Sequence, residues 1–377
     1  MKWTRFIPVL ATAVVLSACT PAAKPETDVV QEDEKKVEKT TVPVMQVSDE
    51  YYKALLPVKE SASRGLIVSN VFTKYDIKEA ESGLMRVSQN EFSTKDFFIQ
   101  EGQFLDKETV GNWLARSNQA EGGLNPSDEG LSPEQRATEA PIYLAHIIEQ
   151  NYLKRTDDDK VTLGGVTIGL ALNSIYYYQK EQYGEYYEEA IPMGVLEQEG
   201  KKIADEVYKR LREREELKNV PIVVGLYKQK ARNDVVPGTY FAYSVGKSGA
   251  DQLGEWSSID EEYVLFPTSD VTDKYRAINT SFQNFKQNID KFFSNTTNVI
   301  GRGFYQGDTL KKLSIELPIQ FYGETETIGF TQYIAGEIFK NFPADVLIEV
   351  NINSIDGIEA IIVREPNEKE PTVHMLN

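Results

Sequence analysis

The 377-residue chain holds a single cysteine and two histidines. One thiol cannot close an intramolecular disulfide, and a metal site needs several ligands. His146 and His374 are the only imidazoles, so a Cys–His nucleophile would need distant residues to converge. The chain also lacks a phosphate-cradling Walker loop, a Gly-x-Ser-x-Gly elbow, a His-Glu-x-x-His pair and a calcium-loop pattern. No apolar run approaches the ~20 residues of a bilayer span. Positive charge is in deficit, with 41 Lys and Arg against 58 Asp and Glu and a net charge of −17. Such a surface is repelled by nucleic acid and by anionic headgroups, so neither is expected as a partner.

What is present begins with the cysteine. Lys2 and Arg5 form a positive start, residues 6–16 form a short apolar run, and Leu16-Ser17-Ala18-Cys19 follows. This is the pattern of a bacterial lipobox, in which small residues fit a narrow signal-peptidase site. Leu16, Ser17 and Ala18 then mark the cleavage, and Cys19 is the lipidation residue. The partners this implies are a diacylglyceryl transferase, signal peptidase II and the membrane. Diacylglycerol on Cys19 is the only group expected, with no other cofactor and no metal, because two acyl chains suffice for stable anchoring. The protein is expected on the outer face of the cytoplasmic membrane.

Residues 1–18 read as a signal peptide and 19–48 as a flexible lipidated tether. Residues 20–47 contain no aromatic and are rich in Pro, Glu, Lys and Thr, leaving little to bury. A flexible coil of that length spans roughly 30 Å.

The remainder is long enough for two cores. Strands are predicted over 65–72, 83–88, 97–100 and 161–173, and helices over 106–116 and from Pro141 to about 154. Residues 118–136 read as a Gly/Pro/Asp-rich loop, and a helix is predicted over 196–216. Farther on, 220–229, 239–245 and 262–267 read as strands. Val271, Tyr275, Ile278, Phe282, Phe285, Ile289 and Phe292 form one helical stripe. Leu313, Ile315, Leu317, Ile319 and Phe321 alternate as a strand with one wet face. A helix over 327–342 and a hairpin turning at Asp356-Gly357 close the chain. A helix running into a strand recurs three times, at 141–172, 196–228 and 327–352. The expected fold class is α+β, with mostly antiparallel sheets and helices packed on one face, divided into 49–192 and 193–377; residue identity among the three units is poor, so the pattern by itself leaves a duplication open.

Few residues suggest chemistry. "GRGFYQG" (301–307) has no third glycine leading into a helix and reads as a bend or bulge. Asp157-Asp158-Asp159 reads as a solvated turn, and His146 as a half-buried, hydrogen-bonded side chain. Tyr176, Tyr177, Tyr178, Tyr183, Tyr186 and Tyr187 cluster as candidate ligand-binding aromatics, since tyrosines make rigid amphipathic faces for peptides or sugars. Packing of the same rings around a small core is the competing reading. With no nucleophile–base pair, a non-enzymatic module binding a peptide or cell-wall ligand is favoured over an envelope hydrolase using acidic residues.

The segments "SASRGLIVSN", "GLMRVSQNEFSTKDFFIQEGQFLD", "TIGLALNSIYYY", "IDEEYVLFP" and "IQFYGETETIGFTQY" resemble those of the CamS sex pheromone lipoproteins of Gram-positive bacteria. The resemblance runs from about residue 50 to the C-terminus. It implies a lipoprotein with two related α+β repeats. It also implies a leader trimmed to a hydrophobic peptide pheromone, here at Thr12, Ala13, Val14, Val15, Leu16, Ser17 and Ala18. Ala13-Val14-Val15 stands where the family's peptides carry bulkier residues.

Overall fold

The computed structural model describes residues 27–33, 36–64, 71, 74–157, 160–270, 272–293, 299–320 and 323–376. The leader, Cys19, most of the strand expected at 65–72, Phe321, and Asp158 and Asp159 lie outside them.

Two strands, β1 (Thr27–Asp33) and β2 (Lys36–Val42), form an antiparallel ladder. β3 (Lys53–Ala54), α1 (Lys74–Ser88), β4 (Phe97–Glu101), α2 (Lys107–Leu114) and α3 (Pro133–Glu139) follow. Next come the long β5 (Leu144–Arg155) and β6 (Lys160–Leu172) and a small hairpin, β7 (Ile175–Gln179) and β8 (Tyr186–Ala190). α4 (Met193–Arg212), β9 (Ile222–Lys228), β10 (Thr239–Gly246) and β11 (Ser257–Ser258) complete the first half. The second half holds β12 (Glu261–Phe266), α5 (Asp273–Phe292), β13 (Ile300–Gln306) and β14 (Thr309–Pro318), then α6 (Glu324–Asn341), β15 (Leu347–Asn353), β16 (Ile358–Arg364) and β17 (Thr372–Met375).

The halves repeat one topology. The first sheet runs β11-β10-β9-β6-β5-β4-β3 and the second β17-β16-β15-β14-β13-β12. In each, one central pair is parallel, β6 with β9 and β14 with β15, and a helix makes the crossover: α4 in the first, α6 in the second. The flanking pairs are antiparallel. α2 and α5 occupy the same place, before β5 and β13 respectively. The division expected at residue 193 therefore falls inside the first sheet. β9, β10 and β11 belong to that sheet, and the second begins at Glu261.

Each repeat packs its own helices on one face. α2 and α4 cover Ile168, Leu170, Ile222 and Val224, and α5 and α6 cover Leu313, Ile315, Ile348 and Val350. The first sheet departs from one-sided packing, because α1 covers its other face over Tyr152, Val223, Tyr227 and Tyr240. The buried Tyr240 ring lies between Gly83 of α1 and Gly225 of β9; a Cβ on either would stand 2.9 Å from it.

Several expectations are corrected by this two-sided burial. Residues 83–88 are helical, with Ala80, Leu84 and Val87 packed inward, and not a strand. Residues 144–155 are strand, not helix. β5 is covered on both faces, which erases polar alternation, and a register shift between Leu144 and His146 brings its apolar residues to helix-like spacing. The helix–strand unit expected at 141–172 is thus a β5–β6 hairpin, while the other two units are the equivalent crossovers. The loop from 118 ends at Ser132, whose hydroxyl accepts from Gln135 N while Gln135 returns a bond to the Ser132 backbone, capping α3. Residues 27–33 and 36–42 are not a free tether. β1 pairs in parallel with β6 at Val30–Lys160 and Gln31–Val161, and Thr41 and Leu56 exchange backbone hydrogen bonds of 2.8 and 3.0 Å. Val42 is buried beside Leu55, Leu153 and Val161, so the edge of the long hairpin supplies the partner that this polar segment lacks by itself.

Other elements match their patterns. Asp106 caps α2, its carboxylate accepting from Thr109 N at 2.8 Å. Five of the α5 stripe residues, Tyr275, Ile278, Phe282, Phe285 and Ile289, are buried. β13 carries the bulge expected in "GRGFYQG", a register shift between Phe304 and Tyr305. Ser354 N donates to Gly357 O at 2.8 Å to close the last hairpin.

α1 also joins the halves. The Arg86 guanidinium grips Glu261 of β12 through Nε at 3.2 Å and Nη2 at 2.8 Å, and also pairs with Glu79. It lies 4.7 Å from the Phe304 ring, while the Tyr263 hydroxyl donates to Glu79 at 2.6 Å.

Candidate functional site

The six tyrosines do converge, on the β7–β8 hairpin. Tyr178 pairs with Tyr187 and Gln179 with Tyr186, which sets Tyr176, Tyr178 and Tyr187 on one face and Tyr177 and Tyr186 on the other. On the first face the rings stack, with centroids 5.6 Å apart for Tyr178–Tyr187 and 6.3 Å for Tyr176–Tyr178. The buried Arg116 donates to the Tyr176 hydroxyl at 3.2 Å, and the Lys180 ammonium lies 4.6 Å from the Tyr187 ring. On the second face the Arg232 guanidinium sits 4.4 Å from Tyr177 and 5.1 Å from Tyr186. The chain's own cations thus occupy much of this aromatic surface. Tyr183, at the hairpin tip with φ +65°, is 91 % exposed.

A second site was not legible in the sequence. A cleft of about 490 Å³ opens beside α1, against β4, β5 and the segment after β3. α1 contributes Ile77, Glu81 and Met85, four residues apart and so on one ridge. β5 contributes alternate residues His146, Ile148 and Gln150, and β4 contributes Ile99 and Glu101. Leu55 and Val58 complete an aliphatic lining.

The polar groups of the cleft are unevenly satisfied. Gln150 is fixed, donating to Glu81 O and accepting from the Tyr152 hydroxyl, both at 2.9 Å. Glu101 accepts from Ser61 N at 2.7 Å and pairs with Arg64 at 3.1 Å. Glu149 also borders the cleft, accepting from the backbone N–H groups of Gln103, Phe104 and Leu105 at 2.7–3.1 Å. Burial raises its carboxyl pKa, against the pull of those bonds. Glu81 is different. It stands at the mouth, open to solvent on one side, and its carboxylate has no hydrogen bond or ion pair among the described residues. The cleft wall and the charge of Glu101 raise its pKa. His146, expected to be hydrogen-bonded, leaves its buried Nδ1 without a partner, and burial lowers its pKa to about 4. The ring is therefore neutral at pH 7.

No group of three or more His, Cys, Asp or Glu side chains among the described residues is placed to hold a metal ion. None of the described helices is long and apolar enough to cross a membrane.

The sequence model described as the CamS sex pheromone cAM373 precursor matches residues 58–370. The chain belongs to the CamS family. A sex pheromone precursor from Lactobacillus salivarius subsp. salivarius is 34 % identical, with a TM-score of 0.82, over 90 % of this chain and 99 % of that one. The C-terminal domain of the sex pheromone staph-cAM373 precursor from Staphylococcus aureus is 32 % identical, with a TM-score of 0.71, over 82 % of this chain and 99 % of that one. No curated protein matches. The CamS match contains both the tyrosine hairpin and nearly all of the cleft, Ala54 and Leu55 excepted. It stops short of Cys19 and of residues 12–18.

Proposed function

We propose that this CamS chain is made as a lipoprotein precursor with two products. Diacylglycerol on Cys19 holds the body to the outer face of the cytoplasmic membrane, and residues 12–18 of the leader are released as a hydrophobic signalling peptide. The observation that carries the reading is the Leu16-Ser17-Ala18-Cys19 box preceding a body of the sex pheromone precursor family. The body acts as a binding module, for which the cleft beside α1 is the better candidate, since it is open and lined by aliphatic side chains.

Cys19→Ala tests the anchor. The variant should accumulate as unprocessed precursor, whereas maturation to normal size with retention on washed membranes would refute lipidation. Mass spectrometry of the culture medium tests the peptide. A fragment ending at Ser17 or Ala18 is expected, and none would mean the leader only directs export.

A second reading rests on Glu81. A carboxyl whose pKa is raised, beside an ion-paired Glu101, is the division of labour that glycosidases use. Release of reducing sugar from peptidoglycan fragments, lost in Glu81→Gln, would favour hydrolysis; binding without turnover favours the module.

A further inference from the structure

We propose that the cleft beside α1 binds a short apolar peptide by its N-terminal ammonium group, which Glu81 and Glu101 receive while the aliphatic lining takes the first side chains. The inference rests on the body being a binding module and names the class of its ligand.

Three observations converge on that chemistry. The first is charge. Two carboxylates share the mouth, and neither Arg64 nor Lys59, the cations on the same wall, neutralises Glu81; both have partners of their own. An incoming ammonium relieves the repulsion between Glu81 and Glu101, whereas an anion would add to it. The net charge of −17 draws a cation in the same sense. The second is the lining. Val58 and Ile77 at the lip are 53 % and 46 % exposed, and Leu55, Ile99 and Ile148 line the cleft with them. Apolar side chains seated there leave water, which a sugar would not achieve, and a free amino acid would bring its own carboxylate up to the two glutamates. An acyl chain would suit the lining but leave Glu81 uncompensated. The third is His146. Its imidazole lines the cleft and, neutral through burial with Nδ1 shut off from solvent, adds no positive charge that would repel an ammonium. The volume of about 490 Å³ fits a small ligand rather than a folded partner.

Two sources offer this chemistry: the chain's own leader fragment, once proteolysis frees an amine at residue 12, and unrelated apolar peptides of the envelope. Titration calorimetry on the detergent-solubilised full protein separates them. The probes are a synthetic heptapeptide of residues 12–18, its Nα-acetylated form, and an apolar heptapeptide of unrelated sequence with a free amine. The free-amine leader peptide should bind, and acetylation should weaken it about tenfold or more, the loss expected for one charge-assisted contact. Glu81→Gln should weaken the amine to the level of the acetylated peptide without affecting the latter, and Ile77→Ala should weaken both. An unchanged melting temperature in Glu81→Gln excludes misfolding as the cause. Equal binding of the two free-amine peptides supports the class and denies the leader as the preferred source.

Equal binding of free and acetylated peptides, or full affinity in Glu81→Gln, overturns the proposal. So does the absence of any peptide binding. In that last case a thermal shift with peptidoglycan fragments would show the module reading surviving without this ligand.

Discussion

Replacing Arg86 by Met tests the contact that joins the two repeats. Methionine keeps an unbranched apolar stem to lie against Phe304 but removes the guanidinium. Glu79 and Glu261, whose side chains are only 7 % and 8 % exposed, then remain without their shared cation. Removing one member of a buried ion pair costs roughly 3–5 kcal/mol. Here the loss belongs at the lower end, about 3 kcal/mol, because three donors remain. Tyr263 and Ser82 still donate to Glu79, at 2.6 and 3.3 Å, and Gln306 still reaches Glu261 at 3.1 Å. Adding Glu79→Gln and Glu261→Gln to the variant removes the stranded charge and should recover most of the loss. Urea unfolding separates the halves, since Trp113 and Trp256 lie in the first repeat and residues 261–377 contain no tryptophan. Fluorescence and circular dichroism should coincide in the wild type and separate in Arg86→Met. A variant within 1 kcal/mol of wild type (a conventional margin for a surface ion pair), or a triple variant that recovers nothing, refutes the account.

His146 should make stability fall at acidic pH. Its folded pKa of about 4 lies below the ordinary ~6.5, so on acidification the unfolded chain takes the proton first. The contribution is present above about pH 6.5 and is lost down to about pH 4, on the order of 3 kcal/mol in all. His146→Gln should flatten the curve in that window. The difference between the two proteins isolates this group, because Glu81 and Glu149, with raised pKa values, act in the opposite sense. An identical pH profile in the variant would refute it. Gly225→Ala places a methyl 2.9 Å from the Tyr240 ring, which cannot retreat because its hydroxyl donates to Ala80 O at 2.8 Å; a loss of about 1–3 kcal/mol in thermal unfolding is expected. A chain ending at residue 344 lacks β15, β16 and β17 and with them Ile348, Val350 and Ile352 of the second core. It should lose the melting transition of the second half, and an unchanged transition would contradict the sheet order.

The sequence by itself determined the elements that have one wet face. The α5 stripe, the alternation of Leu313, Ile315 and Leu317, and the Asp356-Gly357 turn each record local geometry, because solvent on one side enforces a period. It also carried the family through long segments of the body, and it marked the tyrosines that meet on β7 and β8. Tertiary structure decided the rest. β5 reads as helical because both its faces are covered, and the strands β1 and β2 become a paired arm through contact with residues that follow them at a distance in the chain. The duplication shows in strand order and in the placement of the two crossover helices, where residue identity is too thin to reveal it. The cleft was hidden for the same reason. Ile77, Glu101 and His146 lie on three elements far apart in sequence, and no local pattern states that α1 will lie across that sheet, leaving one carboxylate and one imidazole nitrogen unsatisfied between them.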